Sequence, residues 1–310
     1  MTLLAGVTDA DDAITVEISD AAGDNTGTTA LNVNADALAD TLEVTLIGND
    51  GDNVLVGNAI ADDITGGGGA DTITGGAGAD AIDGGAGADV FLIAAAADHA
   101  AGETITGGAD ADTIRFTSTT ASETLTLLAG VTDADDAITV EISDAAGDNT
   151  GTTALNVNAD ALADTLEVTL IGNDGDNVLV GNAIADDITG GGGADTITGG
   201  AGADAIDGGA GADVFLIAAA ADHAAGETIT GGADADTIRF TSTTASETLT
   251  LLAGVTDADD AITVEISDAA GDNTGTTALN VNADALADTL EVTLIGNDGD
   301  NVLVGNAIAD

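Results

Sequence analysis

The chain has 310 residues and a formal net charge of −54, with only two basic residues, Arg115 and Arg239. A surface of that sign repels nucleic acid and anionic lipid and points to cations as partners. Aromatic residues make up 1% and Cys and Pro are absent, which excludes a bulky globular core, disulfides and thiolate metal sites.

Acidic, aromatic-poor chains commonly stay disordered. Here a hydrophobic content of 44% and a strict periodicity argue against permanent disorder, though not against disorder without metal. No stretch approaches about 18 apolar residues, so no membrane span is expected. The start, MTLLAGVTDADD, has no basic region and no long apolar run, so it does not read as a signal peptide. Any export signal is expected outside these residues.

Residues 2–186 recur without a substitution as residues 126–310, an offset of 124. The chain reads as two and a half copies of one unit, an excerpt of a longer array or a designed chain, because solenoids normally carry atypical capping repeats. Each unit has two textures. In chain order the boundaries fall at 1–47 (spacer), 48–115 (glycine-rich), 116–171 (spacer), 172–239 (glycine-rich), 240–295 (spacer) and 296–310, the start of a third glycine-rich segment. The spacers are strand-like: ETLTLL, AITVEIS, TALNVNA and LEVTLI alternate apolar and polar residues, as in Ile138, Val140 and Ile142 against Thr139 and Glu141. Clusters such as DAAGDNTG read as turns between them. Nothing resembles a flexible linker, so the expected fold is all-β, a parallel β-roll or β-solenoid running as one continuous rod.

The glycine-rich segment opens with five nine-residue blocks: GNDGDNVLV, GNAIADDIT, GGGGADTIT, GGAGADAID and GGAGADVFL, starting at Gly48, Gly57, Gly66, Gly75 and Gly84. The sixth residue of each is Asn53, Asp62, Asp71, Asp80 or Asp89, and the eighth is Leu55, Ile64, Ile73, Ile82 or Phe91. A short strand can turn only its middle side chain inward, which here is the eighth. The glycines before it must reverse the chain at φ > 0. Two blocks then make one turn of a coil, and the sixth-position residues form two columns, one on each edge. After the fifth block, FLIAAAADHAAGETIT is expected to form a short helix or a bulging loop, and GGADADTIR at 107–115 is an isolated variant block with Asp112 and Ile114.

One buried Ile per nine residues does not offset the entropy of ordering them. Stacked carboxylates oppose the fold further, by roughly 3 kcal/mol per pair at about 5 Å and an effective dielectric near 20. A divalent cation between stacked turns reverses that sign. Oxygen-only ligands, carboxylates with glycine-region carbonyls, select Ca²⁺ before Mg²⁺ or Zn²⁺. Several ions per unit are expected.

These blocks resemble the hemolysin-type (RTX) nonapeptide G-G-x-G-x-D-x-U-x, where U is a large apolar residue. The resemblance implies that each ion lies between loops two blocks apart, held by the sixth-position Asp of both and by glycine-region carbonyls. It implies the pairs Asp62 with Asp80, Asp71 with Asp89, Asp186 with Asp204 and Asp195 with Asp213. Asn53 with Asp71 and Asn177 with Asp195 are implied as weaker pairs, since an amide lacks charge. The implied carbonyls come from the glycine regions at Gly66, Gly75, Gly84, Gly190, Gly199 and Gly208. Block two departs from the pattern, with Ile60 where Gly is usual. The nonapeptides cover about a third of each unit, and the remainder resembles the spacer of long bacterial RTX surface proteins.

No catalytic constellation is visible. His99 and His223 stand alone in ADHAAGE, no HExxH or G-x-S-x-G occurs, and no GK[ST] follows the glycine runs. Arg115 is expected to pair with a neighbouring acid. The chain therefore reads as a non-enzyme. An exact repeat whose top matches the next unit's bottom makes a non-closing interface that generates a filament. The expectation is a calcium-stabilised extracellular filament, stalk or surface layer built by head-to-tail self-association, with cell-surface glycan attachment as a further partner. The resemblance implies type I secretion from a Gram-negative bacterium. The alternative is the calcium-responsive accessory module of an RTX toxin, protease or adhesin. Ice binding would need a flat array of Thr, and Thr65 and Thr74 give way to Asp83 and Leu92 at the same block position.

Overall fold

The computed structural model describes residues 1–4, 6–7, 13–19, 23–39, 41–259 and 261–307. The end of the third glycine-rich segment, with Asp310, lies outside the described residues. The chain divides into two compact units, Met1–Asn149 with Ala161–Glu167, and Thr150–Asp160 with Val168–Asp310.

In the first unit the strands are β1 (Ala13–Glu17), β2 (Asn32–Asn34), β3 (Glu43–Ile47), β4 (Val54–Val56), β5 (Asp63–Gly68), β6 (Thr72–Thr74), β7 (Ala81–Ala86), β8 (Val90–Ile93), β9 (Thr104–Ala109), β10 (Thr113–Phe116), β11 (Thr124–Thr126), β12 (Val131–Thr132) and β13 (Ala137–Ile142). One face runs β1-β3-β5-β7-β9-β12 and the other β2-β4-β6-β8-β10-β13. The pairings between these strands are parallel. From β1 to β10 consecutive strands alternate between the two faces, the arrangement of a parallel β-roll; β11 lies in neither face. Spacer and glycine-rich strands share both faces, so the two textures belong to one architecture.

The nine-residue period sets the register. Asp63 stands against Ala81 and Ile64 against Ile82 on one face, and Leu55 against Ile73 on the other. Each partner is two blocks on, as a two-block turn requires. The inward residues stack into two columns, Val16, Leu46, Ile64, Ile82, Ile105 and Val131, and Val33, Leu55, Ile73, Phe91, Ile114 and Val140. All of them are buried, and these two stacks are the core. The edges are backbone on backbone. Gly67, Gly85 and Gly108 stack in register at φ 106, 104 and 118, and a Cβ at Gly85 would strike the carbonyl oxygen of Gly67.

The second unit repeats this plan. Asp187–Gly192, Ala205–Ala210 and Thr228–Ala233 stack on one face and Val178–Val180, Thr196–Thr198 and Val214–Ile217 on the other. Thr248–Thr250, Asn280–Asn282 and Val302–Val304 form a further short parallel sheet. The alternating spacer runs are strands as expected, with Ile138, Val140 and Ile142 inward. The Ala-rich run after each glycine-rich block is a single 3₁₀ turn, Ala96–Asp98 and Ala220–Asp222.

Candidate metal centre

Each sixth-position acid stands where a glycine turn enters a strand, and its two oxygens do different work. Oδ1 accepts the backbone N–H of the equivalent residue one turn earlier: Asp62 N–H to Asp80 at 2.9 Å, Asp71 N–H to Asp89 at 2.7 Å, Asp186 N–H to Asp204 at 3.0 Å and Asp195 N–H to Asp213 at 2.8 Å. Asn53 N–H and Asn177 N–H reach Asp71 and Asp195 in the same way, both at 2.7 Å. All six expected pairs are thus brought together.

Oδ2 faces the other way. Among the described residues, Oδ2 of Asp71, Asp80, Asp89, Asp195, Asp204 and Asp213 is buried with no hydrogen-bond partner. Beside it lies a cradle opened by the first glycine of the block. The place a Cβ would take at Gly66 is flanked by Asp71 Oδ2 and the carbonyl oxygen of Gly84. At Gly84 it is flanked by Asp89 Oδ2 and the carbonyl of Gly107, and Gly190 and Gly208 repeat the arrangement with Asp195 and Asp213. An unpartnered buried carboxylate oxygen facing a carbonyl oxygen is a donor set for a hard cation. Among the described residues no three His, Cys, Asp or Glu side chains converge.

The two edges differ. Asn53 Oδ1 accepts the N–H of Asn49 at 2.8 Å while its amide donates to Leu31 O and Asn49 Oδ1, so it knits the start of its column together, as Asn177 does with Asn173. Asp62 Oδ2 accepts the N–H of Asn58 at 2.6 Å, and Asp186 that of Asn182 at 2.7 Å. The departure at Ile60 is absorbed by Asn58, whose Oδ1 accepts the Ile60 N–H at 3.0 Å. At Gly75 and Gly199 the cradle holds Asp80 or Asp204 Oδ2, but an Ile82 or Ile206 methyl carbon stands among its nearest atoms and no carbonyl does. There the next turn is diverted into the Ala-rich loop.

Burial pushes the carboxyls of Asp71 and Asp80 up to about 7 and that of Asp89 to about 6. The Oδ1 hydrogen bonds oppose the rise, and neighbouring carboxylates such as Asp89 beside Asp71 add to it. Asp195 rises to about 7 and Asp204 and Asp213 to about 6 for the same reason. Without a cation these sites hold charge poorly.

Four buried Asp residues stood outside the expected ligand set: Asp112, Asp133, Asp236 and Asp257, each with an unpartnered Oδ2 among the described residues. The sequence signal for Asp112 and Asp236 is the sixth place of GGADADTIR. Asp133 lies in DADD, whose other acids Asp135 and Asp136 are exposed. His99 is buried and locked, with Nδ1 3.1 Å from Glu103 Oε1 and Nε2 accepting the Leu128 N–H at 3.1 Å. Arg115 pairs with Glu141.

The model of the RTX calcium-binding nonapeptide repeat (4 copies) matches residues 45–59, 56–91, 100–115, 169–183, 180–215, 224–239 and 293–307. These segments are RTX calcium-binding nonapeptide repeats. The match takes in each orphaned sixth-position Asp together with its glycine cradle. The chain is therefore a calcium-binding repeat protein with the parallel β-roll that RTX repeats form. RTX repeat proteins are typically secreted, and among the described residues no helix is long and apolar enough to cross a membrane. No curated protein matches the chain.

Proposed function

We propose that this protein is a calcium-stabilised structural repeat of the extracellular space, building a filament, stalk or surface layer by head-to-tail stacking. The observation that carries the reading is the column of orphaned carboxylate oxygens over glycine cradles, repeated in both units. Asp71, Asp89, Asp195 and Asp213 would hold calcium with the carbonyls of Gly84, Gly107, Gly208 and Gly231. Asp80 and Asp204 would contribute on the opposite edge, beside Asp62 and Asp186. When bound, calcium supplies the positive charge that lets stacked carboxylates ionise inside the roll. The residues themselves set the spacing of the turns through their Oδ1 hydrogen bonds.

Stacking is supported by the exact recurrence of residues 2–186 as residues 126–310: a unit whose end can receive the start of its own copy makes a non-closing interface. A chain that meets calcium only outside the cell would stay extended by charge repulsion inside and fold on export, which fits type I secretion.

The test is far-UV circular dichroism with electron microscopy on one calcium-stripped sample, before and after about 5 mM calcium, above the affinity range of extracellular calcium modules. Coil converting to β with fibres appearing is the expected result. Conversion with particles staying monomeric would replace the filament by an accessory folding module of a secreted toxin, protease or adhesin. No response to calcium would overturn the calcium-stabilised reading itself.

A further inference from the structure

The edge that stacks Asp71, Asp89 and Asp112 does not end in another nonapeptide. Strand β12 pairs with β9 so that Thr132 stands against Thr106, which places Asp133 in the layer next to Gly107. One layer earlier that place belongs to a glycine, and its carbonyl closes the cradle. At Gly107 the carbonyl is replaced by a side chain: the place of a Cβ there is flanked by Oδ2 of Asp133 and Oδ2 of Asp112.

Both carboxylates are aimed. Asp112 is 1% exposed and Asp133 9%. Asp112 Oδ1 is taken by the N–H of Asp89 at 2.7 Å, and Asp133 Oδ1 by the N–H of Asp135 at 2.8 Å. Each Oδ2 is left without a hydrogen-bond partner among the described residues. The second unit repeats the geometry at Gly231 with Asp236 and Asp257, whose Oδ1 atoms accept from Asp213 and Asp259, each at 2.8 Å.

We propose that Asp112 with Asp133, and Asp236 with Asp257, each hold a further calcium ion where the roll passes into its spacer. This rests on the calcium reading of the roll above. Two buried carboxylate oxygens converging on one point repel strongly in a medium of low dielectric. A hard divalent cation turns that repulsion into attraction and accepts oxygen ligands in flexible number. The site brings two carboxylates where the cradle at Gly66 brings one and a carbonyl, and a higher ligand charge raises calcium affinity. The ion would also pin the first spacer turn to the last nonapeptide, so that spacer folding follows calcium.

The test is to count bound calcium by equilibrium dialysis of the full chain at saturating calcium, with circular dichroism on the same samples. Asp133→Asn with Asp257→Asn keeps the Oδ1 acceptor and removes the charge; it should bind two ions fewer than the parent. Asp164→Asn with Asp288→Asn, at exposed positions, should bind the parent number. If the double variant loses β-structure, Asp133→Asn alone should lose one ion while the second copy keeps its own. An unchanged count in either Asp133 variant would overturn the proposal and show a carboxyl pair sharing a proton. A parent chain that binds no calcium would instead sink the calcium reading of the roll.

Discussion

The backbone N–H of Asp71 donates to Oδ1 of Asp89 at 2.7 Å, and the same carboxylate leaves Oδ2 buried without a hydrogen-bond partner among the described residues. One oxygen serves the fold and the other is free for an ion. Substitutions can separate the two. Asp71→Asn with Asp195→Asn keeps an acceptor for the Asn53 and Asn177 N–H groups and removes a charged ligand. The calcium midpoint of folding, followed by circular dichroism, should rise by at least about tenfold, the cost of disturbing one partner in a metal site. The β signal at saturation should survive. Asp71→Ala with Asp195→Ala loses both functions and should shift the midpoint further. An unmoved midpoint would take Asp71 and Asp195 out of the ligand set.

Acid should have opposite effects with and without calcium. In the ion-free chain burial holds Asp71, Asp80 and Asp112 at about 7, against about 3.9 for an unfolded Asp. The folded form binds these protons more tightly than the unfolded form does. Its stabilisation is fully present below about 4 and is lost as pH rises through 7. Calcium-stripped chain should therefore show more β-structure and a higher melting midpoint at pH 5 than at pH 8. Calcium-loaded chain should show the reverse, because protons then compete with the ion for the same oxygens. Parallel melts at the two pH values check both signs, and a stripped chain more stable at pH 8 would contradict the burial of these groups.

The roll was legible in the sequence where one residue type recurs at a fixed place. Ile64, Ile73 and Ile82 at the eighth position fixed the inward columns, and Asp71 and Asp89 at the sixth fixed the edge. What was not legible depends on register between unlike segments. In the sequence the acids of DADD at 133–136 read as a cluster that either binds an ion or faces water. Asp133 is singled out once Thr132 is known to stand against Thr106, and the spacer's looser alternation does not give that pairing. The inequality of the edges was legible only at Ile60, which breaks the glycine pattern before Asp62. Asp62 and Asp80 match Asp71 and Asp89 in the repeat, yet the Asn58 N–H occupies Asp62 Oδ2. The turn after Asp80 departs into a loop closed by His99 and Glu103.

The cradle itself can be filled. A methyl at Gly66 would meet Asp71 Oδ2 and the Gly84 carbonyl oxygen, the two atoms expected to face the ion. Gly66 is not in the left-handed region, so Gly66→Ala carries no φ penalty and acts through its clash with these two atoms, one of them backbone of the next turn. With Gly190→Ala in the second copy it should raise the calcium midpoint more than Asp71→Asn does, since it displaces a carbonyl as well as a carboxylate. Isothermal calorimetry should show fewer ions bound per chain. Normal calcium binding would mean that the ion sits elsewhere on the edge.

The last nonapeptide carries one local conflict that can be relieved. Asp110 stands where the pattern has its third glycine and is held at φ 80; its copy Asp234 is held at φ 78. A side chain there costs roughly 1–2 kcal/mol, less for Asp than for most residues. Glycine removes that cost but gives back about 0.5–1 kcal/mol in chain entropy. The Asp110 N–H that reaches Asp135 Oδ2 at 3.2 Å is kept, and one of the charges that raise the Asp89 carboxyl is removed. Asp110→Gly with Asp234→Gly should therefore stabilise the calcium-loaded chain by about 0.5 kcal/mol per copy, raising the melting midpoint by about 2 °C for a chain of this size. A lowered midpoint together with a raised calcium requirement would show that the Asp110 carboxylate faces the ion, and that the departure from glycine adds a ligand to the final loop.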